Sequence, residues 1–171
     1  MSKEYLLQVQ KSLAERFDSQ TGEFRGDPRV IVTAAQIVEV ATALREEFGF
    51  EYLSDITAVD YWPQDDPRFH LVYQFSSLKN NCRLEVRILL SGEEPSVPTI
   101  SKVYWNANWS ERELYDMFGI HIEGHPDLRR ILMPHDWQGH PLRKDYPLGY
   151  EEVQFSFNME EIAKRKPHPE E

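Results

Sequence analysis

Over residues 3–17 the apolar side chains Leu6, Val9, Leu13 and Phe17 recur at helical intervals, with Lys3, Glu4, Gln8, Lys11 and Glu15 left for a wet face. The spacing predicts an amphipathic helix. Residues 21–28 carry Gly22, Gly26 and Asp27-Pro28, which is turn chemistry, and Arg29-Val30-Ile31-Val32 then reads as a short strand. Thr33 can cap a second helix, in which Ile37, Ala41, Leu44 and Phe48 fall at i, i+4, i+7 and i+11. Gly49 stands where a left-handed residue closes such a helix.

The period then drops from 3.6 to 2. Residues 50–61 supply one strand. In residues 69–75 the apolar set takes the odd positions, and in residues 82–90 the even ones, with Arg83, Glu85 and Arg87 opposite. Residues 77–81 join these two runs as a hairpin. One wet and one dry face fit an antiparallel sheet, and the helices must cover the dry one. The fold class is therefore α+β: a two-layer sandwich of a mainly antiparallel sheet under helices, spanning residues 1–120.

After Pro95 and Pro98, Ile100, Val103 and Ala107 predict a short helix over residues 99–106. A better-marked helix follows, with Ser110 and Glu113 as a capping box, Trp109 and Leu114 as a hydrophobic staple, and Gly119 as its end. Beyond it periodicity fades. Residues 121–150 form an extended strap punctuated by Pro126, Pro134, Pro141 and Pro147, and residues 151–171 form a charged tail.

Composition narrows the function. With 19 Lys+Arg against 29 Asp+Glu, the net charge of -10 disfavours nucleic acid or an anionic membrane as a direct partner. A single cysteine, Cys82, excludes an intrachain disulfide and a cluster held by several local thiolates. No window is apolar enough to span a bilayer, and the first residues lack a targeting pattern, so the chain is expected in the cytoplasm, reaching a membrane only through a complex.

Four readings compete for residues 111–147. A metal could draw on His121, His125, His135 and His140, but Gly119, Gly124 and Pro126 break the helix that would align the first two, so loop hydrogen bonding outweighs ligation. Acid–base work by Glu111, Glu113 and Asp116 lacks a nucleophile. Glu113 has its cap to close, Arg112 can pair with Asp116 four residues on, and Glu111 projects elsewhere. A nucleotide site lacks its glycine-rich loop, and Arg129-Arg130 and Arg143-Lys144 are interleaved with Asp127, Asp136 and Asp145. The remaining reading is a docking surface, since tryptophan and arginine concentrate interface energy and proline lowers the ordering cost of an extended arm. Arg112, Arg129, Arg143 and Lys144 are then expected to meet carboxylates or backbone carbonyls, of a partner or of the strap itself.

The strap also carries a resemblance. Glu111-Arg112-Glu113, Asp116-Met117-Phe118-Gly119, the run His125-Pro126-Asp127-Leu128-Arg129-Arg130-Ile131-Leu132-Met133-Pro134, and the run Trp137-Gln138-Gly139-His140-Pro141-Leu142-Arg143-Lys144-Asp145-Tyr146-Pro147 closely resemble the signature of the respiratory complex I 30 kDa subunit family. Its bacterial members are the C-type subunits of the proton-translocating NADH:quinone oxidoreductase. The resemblance implies a peripheral-arm subunit without a redox centre, on the cytoplasmic face of the bacterial inner membrane, with FMN, iron–sulfur clusters and quinone held by partner subunits. It implies docking on the 49 kDa-type (D-type) subunit and neighbouring iron–sulfur subunits through Glu111, Arg112, Glu113, Asp116, His125, Arg129, Arg130, Trp137, Pro141, Leu142, Arg143, Lys144, Asp145 and Pro147. No residue of this chain is assigned a catalytic, cofactor or metal role. Related subunits occur in membrane-bound hydrogenases and in deazaflavin- and ferredoxin-linked complexes.

Overall fold

The computed structural model describes residues 2–147, so residues 148–150 of the expected strap and the charged tail 151–171 lie outside the described residues. Helix α1 (Ser2–Phe17) buries Leu6, Val9, Leu13 and Phe17. Strands β1 (Gln20–Phe24) and β2 (Asp27–Val32) form a hairpin around Arg25 and Gly26, both at positive φ. Helix α2 (Ile37–Glu46) follows a single tight turn, at whose head the Thr33 N–H and hydroxyl both donate to Gln36 Oε1. Gly49 lies at φ 63, and the next N–H, from Phe50, donates to the Leu44 carbonyl at 2.9 Å.

Strands β3 (Tyr52–Asp60), β4 (Phe69–Ser77) and β5 (Cys82–Leu90) make an antiparallel meander. The five-stranded order is β1-β2-β5-β4-β3, with β2 and β5 parallel and every other pair antiparallel. Phe69, Leu71, Tyr73 and Phe75 of β4 and Leu84, Val86, Ile88 and Leu90 of β5 enter one core with the helices, as their alternation predicts. The α+β sandwich is the fold.

Four local expectations need correction. Residues 20–24 are a strand rather than a turn, because the hairpin is fixed from outside: the Gln10 amide donates to the Gly22 and Arg29 carbonyls at 2.9 and 2.8 Å. Glycine at 22 leaves room for the Arg29 side chain, which would lie 3.0 Å from an added Cβ. Residues 99–106 form successive turns instead of a helix, held by long-range bonds from the Tyr104 hydroxyl to the Phe50 carbonyl and from the Asn106 amide to the Leu53 carbonyl, each 2.6 Å. Those anchors let α3 (Ala107–Phe118) begin three residues before Ser110. Ser110 and Glu113 therefore make no capping box, and Trp109 is 58% exposed rather than stapled to buried Leu114. Finally, β7 (His121–Glu123) pairs in parallel with β6 (Ser96–Pro98), a strand too short to show any periodicity.

Candidate docking strap

Asp116 is 0% exposed, on the last turn of α3, with no cation from its own helix beside it. Its Oδ2 accepts three consecutive backbone N–H groups of the strap, from Ile131, Leu132 and Met133, at 3.0, 2.7 and 2.9 Å. Arg130 completes the set, its Nη1 at 2.7 Å from Asp116 Oδ1. Burial alone would raise this carboxyl, but the three amides and the guanidinium hold it below the usual carboxylate range. Arg130 Nη2 continues to the carbonyls of Trp137 and Gly139, both at 3.0 Å, so one side chain gathers three points of the strap.

The expected Arg112–Asp116 pair does not form. Arg112 turns instead to the Arg129 and Arg130 carbonyls, at 3.0 and 3.1 Å, which are strap carbonyls of the kind anticipated for it. A lone carboxylate on a helix surface pairs with its i−4 neighbour when nothing better is near; here three amides and the Arg130 guanidinium are better.

Farther along, the strap crosses the end of the helix. The Leu142 N–H donates to the Met117 carbonyl at 3.0 Å, Arg143 donates to the Phe118 and Glu93 carbonyls, and His140 Nδ1–H donates to the Asp116 carbonyl at 3.0 Å. Burial lowers the pKa of both His140 and Arg143. Gly119 makes this crossing possible twice over: φ is +70, and a Cβ there would lie 2.5 Å from His140 Cδ2 and 2.8 Å from Arg143 Nη2.

The strap's far end is tied to the sheet. Arg68, buried, donates to Asp60 at 3.0 and 2.9 Å and to Asp145 at 2.7 Å, and the Lys144 N–H reaches Asp60 Oδ2 at 2.9 Å. Burial opposes ionisation of Asp60, yet Arg68 and these N–H groups hold its carboxyl low, while the two carboxylates raise Arg68. Sequence reasoning missed Asp60 and Arg68. One signal was present: Asp60 extends the buried series Ile56 and Ala58 of β3, a charge in an apolar register position.

Glu111 also points inward, not away. It is 1% exposed and binds the Ile100 N–H and the Thr99 hydroxyl at 2.7 and 2.6 Å, with burial pushing its pKa up to about 7. His125 lies beside it, Nδ1 accepting the Asp127 N–H and Nε2–H donating to the Asn108 carbonyl at 3.2 Å. Glu113, Arg129, Lys144 and Pro147 are exposed, and Trp137 and Pro141 are half-buried. The outward apolar groups of the strap are Leu132 and Leu142, 62% and 50% exposed.

A sequence model of the family described as "Respiratory-chain NADH dehydrogenase, 30 Kd subunit" matches residues 30–152. The C-type subunit of NADH-quinone oxidoreductase from Roseiflexus sp. (strain RS-1) is 47% identical over 153 residues, covering 88% of this chain and 87% of that protein. The Geobacter sulfurreducens protein of the same name is 46% identical over 126 residues, covering 74% and 78%. Among solved structures, a trypsin-resistant fragment (1-134) of Nqo5 superposes with a TM-score of 0.61 at 33% identity, over 75% of this chain and 100% of the fragment. A chain of an archaeal respiratory membrane complex, the membrane-bound sulfane sulfur reductase, shares the fold: TM-score 0.71, 21% identity, 92% and 89% coverage. A match over residues 30–152, with relatives this similar over most of their own length, settles the family. The chain belongs to the 30 kDa subunit family of respiratory-chain NADH dehydrogenase, the C-type subunits of NADH-quinone oxidoreductase.

Proposed function

We propose that the chain is a structural subunit of the peripheral arm of a proton-translocating NADH:quinone oxidoreductase, carrying no redox centre itself. It docks through the strap on the 49 kDa-type subunit near the quinone site and touches neighbouring iron–sulfur subunits, at the cytoplasmic face of the bacterial inner membrane. FMN, clusters and quinone belong to those partners.

The observation that carries this reading is the strap's construction. Asp116 and the Asp60–Arg68–Asp145 cluster order a backbone with almost no regular structure, and they pair its Arg130 and Asp145 from within. Leu132 and Leu142 are left facing out. A pre-ordered segment with apolar tips loses little entropy on association, which suits docking. The shared name of the relatives supports NADH as the donor. No helix among the described residues is long and apolar enough to cross a membrane, in keeping with attachment through other subunits.

The test is a mild-detergent purification through a tag on this chain. The expected set includes a flavin-containing NADH-oxidising module and a 49 kDa-type subunit. A hydrogenase module in its place would assign the chain to a different complex, and recovery of the chain alone would contradict the proposal.

A further inference from the structure

Trp105, Trp109, Arg112 and Asp116 are spaced at i, i+4, i+7 and i+11, and Asn106 already has helical dihedrals, so the four form one stripe along α3. The strap covers only half of it. Asp116 and Arg112 are bonded to strap residues 129–133, whereas Trp105 and Trp109 are 81% and 58% exposed. Two large indoles this open, adjacent and continuous with an ordered segment are not scattered surface residues. The Arg112 guanidinium sits 5.4 Å from the Trp109 ring centroid while its other hydrogen bonds hold the strap, so ridge and strap are joined through one side chain.

Charge identifies the occupant. Around the ridge stand Arg112, exposed Lys102, exposed Arg129, and Arg45, whose guanidinium lies 5.4 Å from the ring of Tyr104. The acids nearby are Glu51, which acts on the same Tyr104 ring as Arg45, together with Glu113 and Asp127, and Asp127 is already paired with Arg129. In a chain of net charge -10 this flank is locally cationic. We propose that the Trp105–Trp109 ridge, flanked by Arg45, Lys102 and Arg112, is a second docking surface that receives an acidic segment with an apolar anchor from a neighbouring subunit of the assembly. This rests on the subunit role proposed above and adds a contact outside the strap.

The chain's own residues 148–171 are also acidic, and the crosslink below distinguishes them from a partner's segment.

The experiment puts a photoreactive benzoylphenylalanine in place of Trp109, and separately of Leu142, in the full chain within the detergent-purified complex. The expected result is a crosslink from position 109 to an acid-rich segment of a co-purifying subunit. Trp109→Ala should also raise the amount of chain released by a salt wash about tenfold, with Trp109→Phe restoring retention. A crosslink from position 109 to residues 148–171, to a second copy or to a basic segment overturns the inference. So does no crosslink there when position 142 reacts with a partner, an outcome that leaves the subunit role intact. Recovery of this chain without any other subunit overturns the subunit role and this inference together.

Discussion

Leu44 and Asp116 are equally hidden, each at 0% exposure, but they hold two regions together in different ways. Leu44 belongs to a core of interchangeable apolar contacts, where burial energy is roughly proportional to area and indifferent to direction. Asp116 belongs to a set of directional bonds that organise residues 130–133, where each donor is specific and an unmet one costs free energy. The first region tolerates imprecision. The second depends on single atoms, because a strap with exposed residues at most positions has little area to bury.

The sharpest way to break this contrast is Asp116→Ala. It leaves three amides and a guanidinium unmet and should cost the strap about 3–5 kcal/mol. The expected readout is rapid tryptic cleavage at Arg129 and Arg130 while the far-ultraviolet circular dichroism of the sheet and helices persists; loss of both together would show that the two regions are one. Leu44→Ala should cost about 2–5 kcal/mol through the cavity it opens in the core, but globally: the melting temperature falls and strap cleavage is not singled out.

Acid and base should separate the regions again. The folded state keeps the Glu111 proton up to about 7, above its ordinary 4.5, so between those values the native chain binds more protons than the unfolded one. Stability therefore falls as pH rises through that window, by up to about 1.4 kcal/mol per pH unit, and Glu111→Gln should flatten the slope of urea midpoints measured from pH 5 to 8. Asp116 and Asp60 run the opposite way. Their depressed carboxyls stabilise the strap above the ordinary carboxylate range and release it as pH falls below that range, which the same cleavage assay detects. The smallest effect is expected at Arg129→Ala, under about 1 kcal/mol, because its pair with Asp127 is 75% and 50% exposed. Its neighbour Arg130→Ala should cost several times more, measured by chemical unfolding of the two variants side by side.

This contrast also explains what could be read along the chain. The 3.6 and 2.0 periods marked α1, α2 and the three meander strands because each element's core face is written locally. The head of α3 escaped that reading: Tyr104 and Asn106 find their partners at Phe50 and Leu53, so a well-formed capping signature at Ser110 was overruled from a distance. On α3 and in the strap, Arg112, Asp116, Arg143 and Asp145 were identifiable as residue types without a packing role, but their partners were not. Lys144 meets Asp60 and Asp145 meets Arg68 across 84 and 77 residues, and no local pattern encodes such pairs. Leu132 looks like a packing residue in the sequence, and only the direction of the pinned backbone shows that it faces out beside Leu142.

The most direct test of the docking account is Leu132→Asp with Leu142→Asp in a host that makes the complex, scored for assembled complex and for NADH:quinone turnover per assembled complex. The account predicts few complexes with normal turnover in each. Normal abundance with lost turnover would contradict it and give the strap a part in the chemistry.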